Sequence, residues 1–388
     1  MKIGDICTKI CSGGTPTSSV IEYYNGNIPW LNTKEICFNR VYSTEKNITQ
    51  LGYESSAAKL IPRNSVIIAM YGATAAKCCI NKIPLTTNQA CCNLIIDEAK
   101  SDYNFVYYYM CSKYNELQSL ANGAAQQNLN TQIIKDFELP SLSLTNQKAI
   151  AAVLSALDDK IEVNRAINKN LEATAQAIFK SWFIDFEPFG GIMPADWKKD
   201  SLSNIAKYTN GLAMQNYRPV AGDIGLPVLK IKELRQGMCD TDSDLCSSEI
   251  DKEFIIHDGD VIFSWSGSLL VDLWCGGICG LNQHLFKVTS DIYDKWFYYS
   301  WTQHHLVQFQ TIASAKATTM GHIKRGDLEK ATVVIPSQED YQSIGNLLKP
   351  IYDTIISNKV ENKRLAEIRD ALLPKLMSGE IDVSQVKI

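Results

Sequence analysis

The chain has 388 residues, 45% hydrophobic, 21% charged and 9% aromatic, enough apolar material for two or three packed domains, and a balance that argues against global disorder. Its formal net charge is −4 at pH 7 and no segment forms a basic arm, so a nucleic-acid partner would have to meet a localised surface or one shared with another subunit. Met1 to Cys11 lacks a basic start followed by an apolar run, and no window approaches the roughly 18 apolar residues of a membrane span, which predicts a cytoplasmic protein.

Through the first 140 residues, short β-like runs such as Ser65 to Tyr71 alternate with Gly, Asn and Ser turns. The adjacent pairs Cys78-Cys79 and Cys91-Cys92 sit in apolar strand-like runs, where neighbouring side chains point to opposite faces. That suits small core fillers better than a metal site. None of the 12 cysteines forms a C-x-x-C pair, so reduced thiols and no metal are expected. An aromatic-rich helical stretch, Phe105 to Leu120, follows.

The pattern then changes. Ile150, Leu154, Leu157, Ile161, Asn164, Asn168, Leu171, Ala175, Ile178 and Trp182 step by alternating fours and threes, an a/d seam with two polar layers at its middle. At about 1.5 Å per residue such a helix is a rod of roughly 50 Å, and its narrow apolar stripe needs a partner helix.

Beyond residue 190 the chain repeats itself. Ile28 to Ile36 matches Leu226 to Leu234, Leu60 to Ala73 matches Ile255 to Ser268, and Asn88-Gln89 matches Asn282-Gln283, the offset narrowing from 198 to 194 residues. Asp260 to Trp265 and Thr332 to Ile335 read as strands, and Trp296 to Phe309 as a second aromatic helix. Residues 342–376 then repeat 148–182, with the seam Ile344, Leu348, Ile351, Ile355, Asn358, Asn362, Leu365, Arg369, Leu372 and Leu376. The predicted organisation is an α+β domain at 1–144, a coiled-coil helix at 145–190, a second α+β domain of similar fold at 191–336, and a second helix with its tail at 337–388. The two helices are expected to pair with each other.

Asn164, Asn168, Asn358 and Asn362 would hold the register, because a slipped pairing leaves a buried amide without a partner. Antiparallel pairing sets Asn164 against Asn362 and Asn168 against Asn358. Parallel pairing also matches asparagines, so the layers alone do not choose. Two similar domains on a rigid double helix read two similar things at a fixed separation, and duplex DNA offers base-pair clusters on one face about every 34–36 Å. The rival is a protein–protein adaptor with duplicated ligand domains. A stand-alone nuclease is disfavoured, since no convincing acidic metal cluster is visible; neither a phosphate loop nor a methyltransferase box occurs.

The runs Ala177 to Pro188 (AIFKSWFIDFEP), Met193 to Ile205 (MPADWKKDSLSNI) and Arg369 to Ile381 (RDALLPKLMSGEI) resemble the specificity subunit of type I restriction–modification systems. The resemblance covers the whole chain, although the first copy lacks the P-x-x-W entry of the second. It implies a non-catalytic subunit whose two target-recognition domains each read one part of an asymmetric bipartite DNA sequence through the major groove. It also implies that an antiparallel helix pair sets the unread spacer. The partners would be double-stranded DNA, two adenine-N6 methyltransferase subunits and, in the full complex, two ATP-dependent nuclease–translocase subunits. S-adenosylmethionine, ATP and Mg would belong to those partners, and no cofactor to this chain.

Polar residues at corresponding loop positions are the DNA-contact candidates, since Gln and Asn suit adenine, Arg and Lys guanine, and Ser or Thr phosphates or bases. In the first copy these are Thr15, Thr17, Asn32, Lys34, Tyr71, Thr74, Lys77, Asn88, Gln89, Gln126, Gln127 and Asn128. In the second they are Gln215, Arg218, Lys230, Lys232, Ser266, Ser268, Asn282, Gln283, His284, Lys316, Thr318 and Thr319. Retention of the Asn-Gln pair in both copies argues for a shared structural bond there. Phe179, Trp182, Phe183, Leu373, Leu376 and Met377 are the expected contact with the methyltransferase; the alternative is that they dock onto the protein's own domains.

Overall fold

The computed structural model describes residues 1–123, 128–315 and 321–383. They form two compact units, Met1–Asp159 with Glu367–Ile388, and Lys160–Ala366. Each unit holds one α+β domain and one portion of both long helices.

In the first unit a five-stranded sheet runs in the order Cys7–Ser12, Cys91–Ile96, Val66–Ala69, Cys78–Asn81, Asn39–Val41, antiparallel except for the last pair. Val66–Ala69 is apolar throughout, and both it and Cys78–Asn81 are buried on both faces. The cysteine pairs show the pleat at work. Cys78 and Cys92 face the helical layer with Phe105 and Val106, whereas Cys79 and Cys91 face the opposite cluster with Leu31 and Ile36. A three-stranded sheet, Lys46–Ile48, Tyr24–Leu31, Thr86–Thr87, completes the domain. The aromatic run expected as one helix is two, Tyr103–Ser112 and Tyr114–Gly123. Asp102 starts the first by accepting a hydrogen bond from the Phe105 amide at 2.9 Å, and Lys113 leaves helical geometry to end it.

The second unit repeats the plan. A four-stranded antiparallel sheet runs Lys207–Asn210, Leu285–Thr289, Val261–Ser264, Leu270–Leu273, and a second sheet runs Leu245–Cys246, Leu226–Leu229, Cys279–Leu281, Ile255–Ile256. Trp30 and Leu31 pair in parallel with Thr86 and Thr87 in one unit, and Val228 and Leu229 with Gly280 and Leu281 in the other, so the repeat of the sequence is a repeat of strand register. The second aromatic helix is continuous, Lys295–Ala315.

The long helices are Leu144–Phe183 and Gln338–Ser378. Asn164 Nδ2 donates to Asn362 Oδ1 at 2.9 Å, and Asn358 Nδ2 to Asn168 Oδ1 at 2.8 Å. In the first unit Arg369 pairs with Asp158 at 2.7 Å. Rising numbers meet falling ones, so the helices run antiparallel. The asparagine layers reach beyond each other as well: Asn168 Nδ2 donates to the Ile355 carbonyl at 3.1 Å, and Asn164 Nδ2 to Glu361 at 2.7 Å. The latter bond holds the Glu361 carboxyl below its usual range.

Replacing Asn168 by leucine takes away the acceptor of the half-buried Asn358 amide, a loss at the lower end of the ~1–3 kcal/mol of an unsatisfied buried group. The double change Asn168→Leu, Asn358→Leu is expected to recover that loss or exceed it, as apolar seam layers do. A double-mutant cycle on chemical denaturation checks this; additive single effects would show that the two amides do not depend on each other.

Three residues expected on an outer contact face are core instead. Phe179 and Phe183 are buried among Trp197, Trp296, Phe297 and Trp301, and Leu376 is buried in the first unit's core. The aromatic surplus at the end of the first long helix is taken up by the neighbouring domain. Trp182, Leu373 and Met377 remain partly exposed, Trp182 lying edge-on to Phe189 at 5.7 Å.

Candidate nucleic-acid interface

In each domain several connections meet on one backbone frame. The Asn88 amide donates to the Leu31 carbonyl at 3.0 Å, and the Asn282 amide to Leu229 at 3.2 Å. The buried Asn88 side chain accepts from the Ala90 amide at 3.1 Å, and Asn282 from the His284 amide at 3.3 Å. The returning chain closes the frame through Leu129 N to Met70 O, 2.9 Å, and Ile323 N to Trp265 O, 3.1 Å. Gly13 and Gly211 pack so closely that an added Cβ would lie 2.1 Å from the Thr87 carbonyl oxygen in one case and 2.3 Å from those of Leu281 and Asn282 in the other. Asn88 and Asn282 therefore hold the turn, the same bond in both copies.

The other candidates in the first domain divide by what already holds them. Thr15 donates its hydroxyl to Gln89, and both side chains are exposed. Asn32 caps the short turn Thr33–Glu35 by accepting from the Lys34 amide at 3.2 Å, and Thr74 donates to the Thr33 carbonyl at 2.9 Å. Lys34 pairs with Glu45, and Lys77 lies 3.8 Å from the Cys37 sulfur and 6.0 Å from the Phe38 ring centre. Thr17 and Asn128 are exposed and Tyr71 half-buried.

In the second domain the basic candidates have acidic partners. Lys230 bonds Asp244, which Arg218 also approaches at 3.7 Å, and Lys232 meets Asp240 at 3.3 Å. The Lys230 hydrogen bond lowers the Asp244 carboxyl below its usual range, and the bond to Asp240 raises the Lys232 ammonium. To contact DNA, where Arg and Lys were expected to read guanine, these cations would exchange an acidic partner for a base edge. Gln215 and Ser268 are exposed, Ser266 is buried and bonded to His284 at 3.2 Å, and Gln283 is half-buried. Gln126, Gln127, Lys316, Thr318 and Thr319 lie outside the described residues.

Trp265, His322 and Asn210 also belong to this frame and were not among the candidates. Trp265 donates from Nε1 to Asn210 Oδ1 at 3.0 Å, and its ring centre lies 6.1 Å from that of His322. The signal was in the repeat: His322 stands where the first copy has Asn128, which was a candidate. Among the described residues no three His, Cys, Asp or Glu side chains gather into a metal-binding group, and no helix is long and apolar enough to cross a membrane.

A family model for the type I restriction modification DNA specificity domain matches residues 1–173 and again 194–368. The chain is 29% identical over 407 aligned positions to the MjaIX specificity subunit of a type I restriction enzyme of Methanocaldococcus jannaschii, covering 99% of this chain and 94% of that relative. It is 22% identical to the HindI specificity subunit of Haemophilus influenzae, over 61% of this chain and 67% of that one. The crystal structure of the S subunit of a type I restriction–modification system from M. genitalium shares the fold, with a TM-score of 0.57 at 15% identity over 97% of this chain and 95% of that one. With both copies of its repeat matched, the chain belongs to the family of type I restriction modification DNA specificity domains.

Proposed function

We propose that this chain is the non-catalytic DNA sequence-recognition subunit of a type I restriction–modification complex. Each α+β domain reads one half of an asymmetric bipartite target, and the chain positions adenine methyltransferase and nuclease–translocase subunits on it. The observation that carries the reading is one backbone frame built twice, in two family-matched domains, with different side chains on each copy. The paired helices, with their register held by two asparagine layers, would set the unread spacer. Two methyltransferase subunits and two nuclease–translocase subunits complete the assembly in the cytoplasm, and S-adenosylmethionine, ATP and Mg bind to them. The duplex itself meets this chain and its methyltransferases together, in keeping with a net charge of −4 and with basic loop residues already paired to acids.

The test is to produce the chain with the methyltransferase subunit of its own locus and sequence the methylated adenines of the host genome. A single asymmetric bipartite motif is expected. Absence of any motif, with bulk DNA competing as well as every duplex tested, would overturn the reading. Within that complex Asn128→Ala, at an exposed position that differs between the copies, is expected to relax one half-site and weaken binding of the cognate duplex about tenfold, within the ~1–3 kcal/mol of a good side-chain–base contact. The other half-site should keep its sequence; equal relaxation of both would contradict the assignment of one word to each domain.

A further inference from the structure

The frame shared by the two domains allows their side chains to be compared position by position, because matched backbone hydrogen bonds set the correspondence. Ile323 bonds to Trp265 as Leu129 bonds to Met70, and His284 follows Asn282 as Ala90 follows Asn88. On this frame the first copy carries Met70, Ala90 and Asn128, and the second Trp265, His284 and His322. The backbone is kept while a thioether, a methyl group and an amide become an indole and two imidazoles. A position needed only to hold the frame has no reason to change chemistry in this way. A position that reads a different word does.

We propose that discrimination of the second half-site resides in His284 and His322, with Trp265 as the wall between them; this rests on the function proposed above. Trp265 is fixed from two sides, by the bond from its Nε1 to Asn210 and by stacking on Phe286 at 5.6 Å. Its ring centre is 6.2 Å from that of His284 and 6.1 Å from that of His322. His284 Nδ1 lies 3.2 Å from the Ser266 hydroxyl, and its Nε2 lies 3.4 Å from Gln283 Nε2. The Gln283 amide nitrogen can only donate, so His284 Nε2 accepts from it, and the imidazole proton sits on Nδ1 and is donated to the Ser266 hydroxyl. His284 thereby aims the Gln283 amide, whose second N–H beside a preset wall suits a base edge that carries an acceptor in the major groove. Both imidazoles and the indole are only half-buried, so their edges are reachable.

The substitutions His284→Ala and His322→Asn install the residues that the first copy already carries on the same frame, so the backbone bonds of Asn282 and Trp265 are retained. In the complex with its methyltransferase, each variant is expected to lose about tenfold or more discrimination at one or two base pairs of the second half-site. The first half-site and the thermal unfolding midpoint should stay as in wild type. Should His284→Ala lower that midpoint, His284→Gln, which keeps a side-chain amide near the place of Nε2, decides in its stead. Wild-type discrimination at the second half-site in folded variants overturns the proposal, as does equal loss at both half-sites. A wild-type complex with no bipartite motif is a different result, and sinks the functional reading on which the proposal stands.

Discussion

Phe183→Ala is expected to destabilise the second unit by about 3–5 kcal/mol, the range for deleting a fully buried aromatic ring. Phe183 is 1% exposed, and its ring centre lies 5.1 Å from Phe179, 5.6 Å from Trp197, 5.7 Å from Trp301 and 5.8 Å from Phe297. It is the last residue of the first long helix, and every one of these neighbours except Phe179 belongs to the second domain. The ring therefore joins helix to domain within one core, and large rigid indoles around it cannot collapse to fill the space it leaves. For a unit of this size the loss corresponds to a fall in unfolding midpoint on the order of 10 °C. Tryptophan fluorescence during heating would follow it, since Trp197 and Trp301 line the cavity. A midpoint within a degree or two of wild type would mean that the helix end is not held by this core.

Arg369→Ala is expected to cost the first unit about 2–4 kcal/mol, near the lower part of the range for breaking a buried ion pair because Arg369 keeps some solvent contact. Arg369 occupies a seam position where the first helix has Ala175, an irregularity visible in the heptads. Its guanidinium donates to Asp158 Oδ1 at 2.7 Å, and the Tyr108 hydroxyl donates to Asp158 Oδ2 at 2.6 Å. The side chains of Asp158 and Arg369 are 13% and 26% exposed. Asp158 thus joins both long helices to the aromatic helix of the first domain, and burial with the adjacent carboxylate raises the Tyr108 phenol above its usual range. Removing the guanidinium leaves a largely buried charge with one neutral donor. Adding Asp158→Asn to Arg369→Ala removes that charge while keeping an acceptor for the phenol, so the double variant should regain most of the loss. Denaturant titrations of the wild type, both single variants and the double variant measure this. If the double variant fell by the sum of its parts, the two side chains would not be coupled.

The seam and the repeat were legible because they are local or self-referential properties. A spacing of fours and threes held over more than 30 residues dictates an amphipathic rod wherever the chain goes. Two copies of one pattern in one order expose duplication without any knowledge of contacts. The frame asparagines were legible for the same reason, since a residue kept in both copies while its neighbours change points to a bond common to both.

What the sequence by itself determined, then, is two α+β domains, two long helices and the asparagine layers of their seam. The direction of helix pairing was not contained in it, because asparagines face asparagines either way; Asp158 meeting Arg369 and Asn164 meeting Asn362 decided it. The order of strands was equally hidden, with Cys7 lying beside Ile96, since such a pairing depends on loop closure and not on the residues of either strand. Whether a lysine was available to DNA turned on Asp240 and Asp244, brought up by another loop, and whether Phe179 and Phe183 faced a partner turned on the indoles of the following domain. Periodicity is written along the chain. Partnership is created only when distant segments close on one another and compete for the same groups.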